Sequence, residues 1–121
     1  MKAVMCREHG DLDVLKLEEV DSPPPAAGEI KIRVHACGIN FADSLMAKGT
    51  YQETPDLPFT PGAEVAGEVI AVGEGVSEFK PGDRVMGLLA GGGGYAEEAV
   101  NPAANFAPVP EQMDFTAAAS F

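Results

Sequence analysis

The sequence has little cysteine, no tryptophan and no long hydrophobic run. Its 121 residues contain two cysteines, Cys6 and Cys37. Two thiols are too few for a disulfide framework or a thiolate-rich zinc site, and both lie in strand-like segments. We expect two buried free thiols in a reducing compartment, which favours the cytoplasm, although sequence alone leaves a Cys6–Cys37 bridge open.

Basic residues are also few. Lys and Arg total 8 against 19 Asp and Glu, which gives a net charge of −11. A field of this sign repels phosphate backbones and anionic lipid headgroups. No stretch reaches the length of a membrane span, and the N-terminus enters strand-like sequence without a signal peptide. We therefore expect neither nucleic acid nor a membrane as a partner.

Short strand patterns, separated by Gly and Pro, make up most of the chain. In the clearest strand, Glu29–His35, the apolar residues Ile30, Ile32 and Val34 alternate with charged ones. Further strands are predicted at Lys2–Arg7, Val14–Val20, Glu64–Val72 with an interruption at Gly67, Arg84–Leu89 and Tyr95–Val100. Six short strands with few helices predict a mainly β domain that forms a closed or partly open barrel.

Two short helices are predicted. The first covers Phe41–Gly49, with Asn40 as its N-cap and Gly49 at its end. The second is an alanine-rich stretch that begins after Asp114, and a helix of two turns is marginal on its own. The sequence thus predicts a domain over residues 1–113, followed over 114–121 by the start of a helix that leads into a missing domain.

Several motifs in a fixed order carry a family resemblance. They are Cys37–Asp43 (CGINFAD), Gly49–Tyr51 (GTY), Pro61–Gly67 (PGAEVAG), Val72–Val76 (VGEGV), Lys80–Val85 (KPGDRV), Gly94–Glu98 (GYAEE) and Ala117–Ala119. Together they resemble the N-terminal domain of medium-chain dehydrogenases and reductases. The resemblance implies a mainly β, GroES-like, partly open β-barrel with one or two short helices. It also implies that a Rossmann domain follows in complete members, with hydride transfer in the cleft between the two.

The same motifs differ from those of the zinc-dependent members. Zinc alcohol dehydrogenases carry a zinc-binding cysteine where this chain has Asn40, and a zinc-binding histidine where it has Ala63. The loop that holds a structural zinc is also missing, because Gly91–Gly94 leads directly to Tyr95. Glu64 alone cannot form a tetrahedral zinc site. We therefore expect no metal, and an acceptor that is reactive without a Lewis acid.

The zinc-free branches that the chain resembles are NAD(P)H:quinone oxidoreductases of the zeta-crystallin type and, as an alternative, enoyl-thioester reductases. This implies a small quinone or enone as substrate and a homodimer for the complete enzyme. It also implies NADPH or NADH as cofactor, bound mainly by the missing domain, so that residues 1–121 alone are inactive. A third possibility, from another class, is a stand-alone GroES-like binding module without chemistry.

The resemblance assigns roles to two residues. Asn40 would lie in the cleft near the nicotinamide as a catalytic and cofactor-binding residue, and Tyr51 would donate a proton or hydrogen bond to the acceptor. Sequence alone leaves open whether Asn40 is only a helix cap, and whether Tyr51 is an ordinary loop residue.

Structural roles are predicted for the other polar candidates. We expect Asp43 to complement the helix dipole, and Glu64 to make a structural hydrogen bond or to pair with Arg84 or Lys80. We expect His9 and His35 to be solvated. The glycines at 91–94 lack the spacing of a dinucleotide site and predict a hairpin loop. An exposed apolar patch is expected near Phe41, Tyr51 and Phe115–Phe121.

Overall fold

The structure, a computed structural model, describes residues 1–52 and 54–121. Within these ranges it has seven strands and two α-helices. They are β1 (Lys2–Cys6), β2 (Leu15–Glu19), β3 (Glu29–Cys37), α1 (Phe41–Lys48), β4 (Glu64–Val72), β5 (Arg84–Leu88), β6 (Glu98–Pro102), β7 (Phe106–Pro108) and α2 (Phe115–Ala119). Glu53, in the segment between α1 and β4, lies outside the described residues.

The strands form two antiparallel sheets. One pairs β1 with β2, and the other has the strand order β6-β3-β4-β5-β7. In the described part of the chain the strands do not close into a barrel. The predicted mainly β, partly open architecture with short helices is confirmed. No helix in residues 1–52 and 54–121 is long and apolar enough to cross a membrane.

The central pair of strands, β3 and β4, supplies four of the largest fully buried side chains. Ile30 and Ile32 of β3 and Val65 and Val69 of β4 are at most 1% exposed. The alternation in β3 places its apolar side chains on one face, as the sequence predicts. Burial of each such side chain stabilises the fold by about 1.5–3 kcal/mol.

Gly67 does not interrupt its strand, so this detail of the prediction is wrong. β4 runs through Gly67, which lies opposite Val34, and the register then shifts so that Ala36 faces Ala66. A Cβ added at Gly67 would collide with the carbonyl oxygen of Arg33. The glycine is therefore needed for the close approach of β3 and β4.

The strand near residue 100 also differs from its prediction. β6 begins at Glu98, three residues after the predicted start at Tyr95. The preceding residues connect the two sheets, because the Val4 N–H donates to the Tyr95 carbonyl at 2.8 Å and Ala96 forms a bridge with Ala3. β7 was not predicted, since three residues are too short to show a strand pattern.

Both predicted helices are present, and their ends follow the predicted caps. Asn40 is the N-cap of α1, and Gly49 ends it with a φ of 76°. Asp114 caps α2, where its Oδ1 accepts a hydrogen bond from the Ala117 N–H at 2.8 Å. Ala118 and Ala119 of α2 are buried in a cluster with Ala66 and Val109. The boundary between 113 and 114 stays a prediction.

Candidate functional site

Asn40 lies on the surface at the start of α1, in an open groove of about 870 Å³. The groove lies between the 11–15 segment and the first turns of α1. Three of its apolar residues face solvent: Leu12 is 60% exposed, Ile39 86% and Phe41 78%. Large apolar side chains around a few polar groups are typical of small-molecule sites.

Glu64 holds the side chain of Asn40. The Asn40 Nδ2 donates to Glu64 Oε1 at 2.7 Å, although the two residues are 24 positions apart. The hydrogen bond predicted for Glu64 is therefore present. The other predicted alternative, a pair with Arg84 or Lys80, is wrong, because both cations have other partners. Arg84 donates to the Met113 carbonyl at 2.6 Å, and Lys80 Nζ binds Asp83 Oδ1 at 2.8 Å.

Asp43 is buried and connects three parts of the chain. Its Oδ2 accepts hydrogen bonds from the Asn40 N–H at 2.9 Å and from the Tyr95 hydroxyl at 2.6 Å. Its Oδ1 accepts from the Gly62 N–H at 3.3 Å. The predicted first-turn position is correct, but the prediction missed this wider role, because Tyr95 is 52 residues away in sequence.

The groups around Asp43 have raised pKa values. Burial, and then the hydrogen bond to Asp43, raise the pKa of the Tyr95 hydroxyl. Burial, followed by the charges of Asp43 and Glu64, raises the pKa of the Cys37 thiol to about 12. Both groups are therefore neutral at pH 7, and Cys37 is a poor nucleophile there. Cys6 and Cys37 are free thiols, as predicted, but only Cys6 is buried and Cys37 is half-buried.

Tyr51 lines a different groove from Asn40. It is half-buried and packs against a cluster formed by Cys6, Met46, Ala47 and Phe59. Its groove, of about 390 Å³, lies next to Leu89–Gly91. The structure therefore does not bring the two predicted site residues together in one groove. Their catalytic and cofactor-binding roles stay predictions.

The exposed apolar patch agrees in part with its prediction. Phe41 and Phe121 are 78% and 86% exposed, whereas Tyr51 and Phe115 are half-buried. Phe115 stacks on His35, with ring centroids 4.2 Å apart. His9 and His35 are both exposed, as predicted.

The glycines at 91–94 form a loop whose amides are partly occupied. Gly91, Gly92 and Gly93 have positive φ values. The Gly93 N–H donates to the Thr60 carbonyl at 2.7 Å, and the Gly94 N–H donates to the Gly62 carbonyl at 2.9 Å. These amides hold the loop to a neighbouring segment, so the loop does not offer the row of free N–H groups that a phosphate site requires.

Metal-binding residues are not clustered in residues 1–52 and 54–121. No group of three or more His, Cys, Asp or Glu side chains there could hold a metal ion. Asn40 and Ala63, at the positions that carry zinc ligands in the zinc-dependent proteins, offer no strong zinc ligand.

Comparison with known proteins identifies the domain. A model of the alcohol dehydrogenase GroES-like domain matches residues 26–111. The chain belongs to this family. It is 45% identical over 116 residues to the quinone oxidoreductase of Rattus norvegicus, a match that covers 95% of this chain and 35% of that protein. The chain spans about a third of the length of the curated relatives it matches.

Solved structures of this GroES-like family show the same fold. The human synaptic vesicle membrane protein VAT-1 homolog-like protein superposes with a TM-score of 0.94 at 38% identity, over 100% of this chain and 39% of that one. The Escherichia coli quinone oxidoreductase complexed with NADPH gives 0.92 at 35% identity, over 98% and 36%. The predicted resemblance to the N-terminal domain of the quinone oxidoreductase type is confirmed.

Proposed function

We propose that this GroES-like domain is the substrate-side part of a zinc-independent, NAD(P)H-dependent quinone oxidoreductase. The observation that carries the proposal is the exposed Asn40 carboxamide, held by Glu64 at 2.7 Å beside an open apolar groove. The identity to quinone oxidoreductases supports the reaction class. Zinc independence is supported by Asn40 and Ala63 at the positions of the zinc ligands in the related alcohol dehydrogenases.

The groove offers the surface that a quinone needs. Leu12, Ile39 and Phe41 present apolar faces on which a flat ring can pack, with release of water from both surfaces. NADPH would supply the hydride, and its binding site would lie mainly outside this chain. Asn40 fits its nicotinamide end, whereas the 91–94 loop does not fit its phosphates, because amides there already have partners.

The complete protein tests the proposal in a steady-state assay of NADPH oxidation. We expect activity with a neutral benzoquinone or phenanthrenequinone, and a loss of about tenfold in kcat/KM for Asn40→Ala, the equivalent of one good hydrogen bond. Gln112→Ala, which removes an exposed carboxamide at another place, is the matched control and should leave kcat/KM unchanged.

The choice of acceptor separates the alternatives. Reduction of a 2-enoyl-CoA without quinone reduction would replace the proposal with an enoyl-thioester reductase. NADPH oxidation with neither acceptor would leave a binding module. Tyr51 is tested in the same assay, because a donor to the acceptor should lower kcat in Tyr51→Phe without a change in NADPH affinity.

The family resemblance supports three further proposals. We propose that the complete enzyme lies in the cytoplasm, that it is a homodimer, and that residues 1–121 alone are inactive. Size-exclusion chromatography with light scattering tests the dimer, and a mass of one subunit would contradict it.

A further inference from the structure

The open groove at the start of α1 combines exposed apolar side chains with negative charge. Its lining, among the described residues, includes the carboxylates of Asp11, Asp13 and Asp43 and the ammonium group of Lys48. Asp43 is buried, whereas Asp11 and Asp13 are exposed on either side of Leu12, which is itself 60% exposed. A molecule that packs on Leu12 therefore lies beside two solvent-facing carboxylates.

The segment that carries these two carboxylates is held against α1. The Gly10 N–H donates to the Ala47 carbonyl at 2.8 Å, so the segment is joined to the last turn of the helix. Leu12–Val14 form a short 3₁₀ turn, in which the Val14 N–H donates to the Asp11 carbonyl at 3.0 Å. The backbone thus keeps both carboxylates next to the groove.

Two sources of positive potential lie nearby, and neither cancels this charge. Lys48 Nζ lies 3.8 Å from Asp11 Oδ1, but both side chains face solvent, and one ammonium offsets only one carboxylate. The N-terminus of α1 also favours anions, but Asp43 already occupies it. Asp43 accepts the Asn40 N–H at 2.9 Å, and the Asn40 side chain accepts the Asp43 N–H in a capping box.

We propose that Asp11 and Asp13 are specificity-determining residues that select uncharged or cationic quinones and exclude anionic ones. The inference rests on the proposed function, because it places the acceptor in this groove. The field of an exposed charge extends over a Debye length of about 10 Å at 0.1 M salt, which is about the size of a fused-ring quinone. A quinone that carries a sulfonate or carboxylate is therefore repelled wherever it packs on the apolar side chains.

Steady-state NADPH oxidation by the complete protein tests the selection. The two acceptors are phenanthrenequinone and the same quinone with a sulfonate on an outer ring. The sulfonate also changes the reactivity of the ring, but it does so equally in every variant. The measured quantity is therefore the ratio of kcat/KM for the sulfonated quinone to kcat/KM for the neutral quinone, compared between proteins.

Removal of the two charges should weaken the selection. We expect Asp11→Asn combined with Asp13→Asn to raise the ratio about fivefold to tenfold at low ionic strength. Glu78→Gln combined with Glu111→Gln is the matched control, because it removes two exposed carboxylates beside a separate groove. Its ratio should stay within about twofold of the wild type. Lys48→Gln removes the positive charge next to Asp11 and should lower the ratio.

Added salt gives a readout that needs no variant. An increase from about 0.01 M to about 0.1 M shortens the Debye length from about 30 Å to about 10 Å, so the ratio of the wild type should rise. The rise should be smaller in the protein that lacks both Asp11 and Asp13 carboxylates.

The possible outcomes separate this proposal from the proposed function. An equal rise of the ratio in the two double variants would assign the selection to the net charge of the whole protein and would overturn the role of Asp11 and Asp13. A ratio that neither salt nor the Asp11 and Asp13 substitutions change would overturn it as well. A wild-type protein that reduces neither quinone would instead overturn the proposed function.

Discussion

Two carboxylates hold Asn40, and they act on different parts of the residue. Glu64 binds its side-chain amide at 2.7 Å, whereas Asp43 binds its backbone N–H at 2.9 Å. Asp43 also binds Tyr95 and the Gly62 amide, so it connects α1 to two other segments. Loss of Glu64 should therefore change the site with little effect on stability, whereas loss of Asp43 should reduce the stability of the fold.

The first prediction at this scale concerns Asp43→Ala. Two of its partners are backbone N–H groups that would lose a charged acceptor, and each such loss in a buried site costs about 1–3 kcal/mol. We expect the free energy of unfolding to fall by roughly 2–4 kcal/mol, as measured by urea denaturation with circular dichroism. Asp11→Ala, whose side chain is 85% exposed, is the control and should change it by less than about 0.5 kcal/mol. Equal effects of the two variants would contradict the role of Asp43 as a buried hydrogen-bond acceptor.

The second prediction concerns the ionisation of Tyr95. Its pKa is raised by burial and by the hydrogen bond to Asp43, so the protonated phenol is favoured in the folded state. The stability that this group contributes is complete below the unfolded pKa of about 10, and it is lost as the pH rises above that value. Tyr95→Phe should therefore destabilise the protein at pH 7, and the difference from the wild type should shrink above pH 10.

Ultraviolet titration of tyrosinate checks this directly. The phase that titrates above the ordinary tyrosine pKa should disappear in Tyr95→Phe. It should remain in Tyr51→Phe, which removes the other tyrosine of the chain. If a phase above the ordinary tyrosine pKa remained in Tyr95→Phe, that phase would belong to a group other than Tyr95.

At the scale of elements, the features that the sequence predicts are those that depend on residues close together in the chain, such as a helix and its caps. α1 was predicted with its caps because Asn40 and Gly49 are next to the helix they limit. The contacts of Glu64 with Asn40 and of Asp43 with Tyr95 were missed, because they join residues 24 and 52 positions apart that only the sheets bring together. The Asn40 site is inferred from the family resemblance. For Glu64 the sequence predicts a hydrogen bond, but nothing in it identifies Asn40 as the partner.

The pairing of β3 with β4 leads to a prediction for Gly67→Ala. The added Cβ would collide with the Arg33 carbonyl, and the backbone at that point cannot move without separating the two core strands. We expect a loss of about 3 kcal/mol or more in the free energy of unfolding. Gly75→Ala is the control, since nothing lies within 4 Å of its added Cβ and its positive φ alone costs about 1 kcal/mol. A smaller loss at Gly67 than at Gly75 would contradict the close approach.

At the scale of the whole molecule, the core and the candidate site are separate. The three buried clusters pack within this chain, so their burial does not need contacts from another domain. The Asn40 groove is open, and its apolar side chains face solvent. The net charge of −11 also opposes the binding of an anionic nucleotide unless positive charge or helix N-termini are supplied from outside this chain.

The last prediction follows from the separation of the buried core from the candidate site. Residues 1–121, produced alone, should fold cooperatively, because the core they need is their own. They should not oxidise NADPH with a quinone, and their NADPH Kd should be weaker than about 1 mM, since a few hydrogen bonds at the nicotinamide end supply little affinity without phosphate contacts. Circular dichroism measures the folding and fluorescence the binding, with the complete protein as the positive control. NADPH binding by residues 1–121 at micromolar concentration would mean that this domain itself holds the phosphates, and the proposed division between the two domains would be wrong.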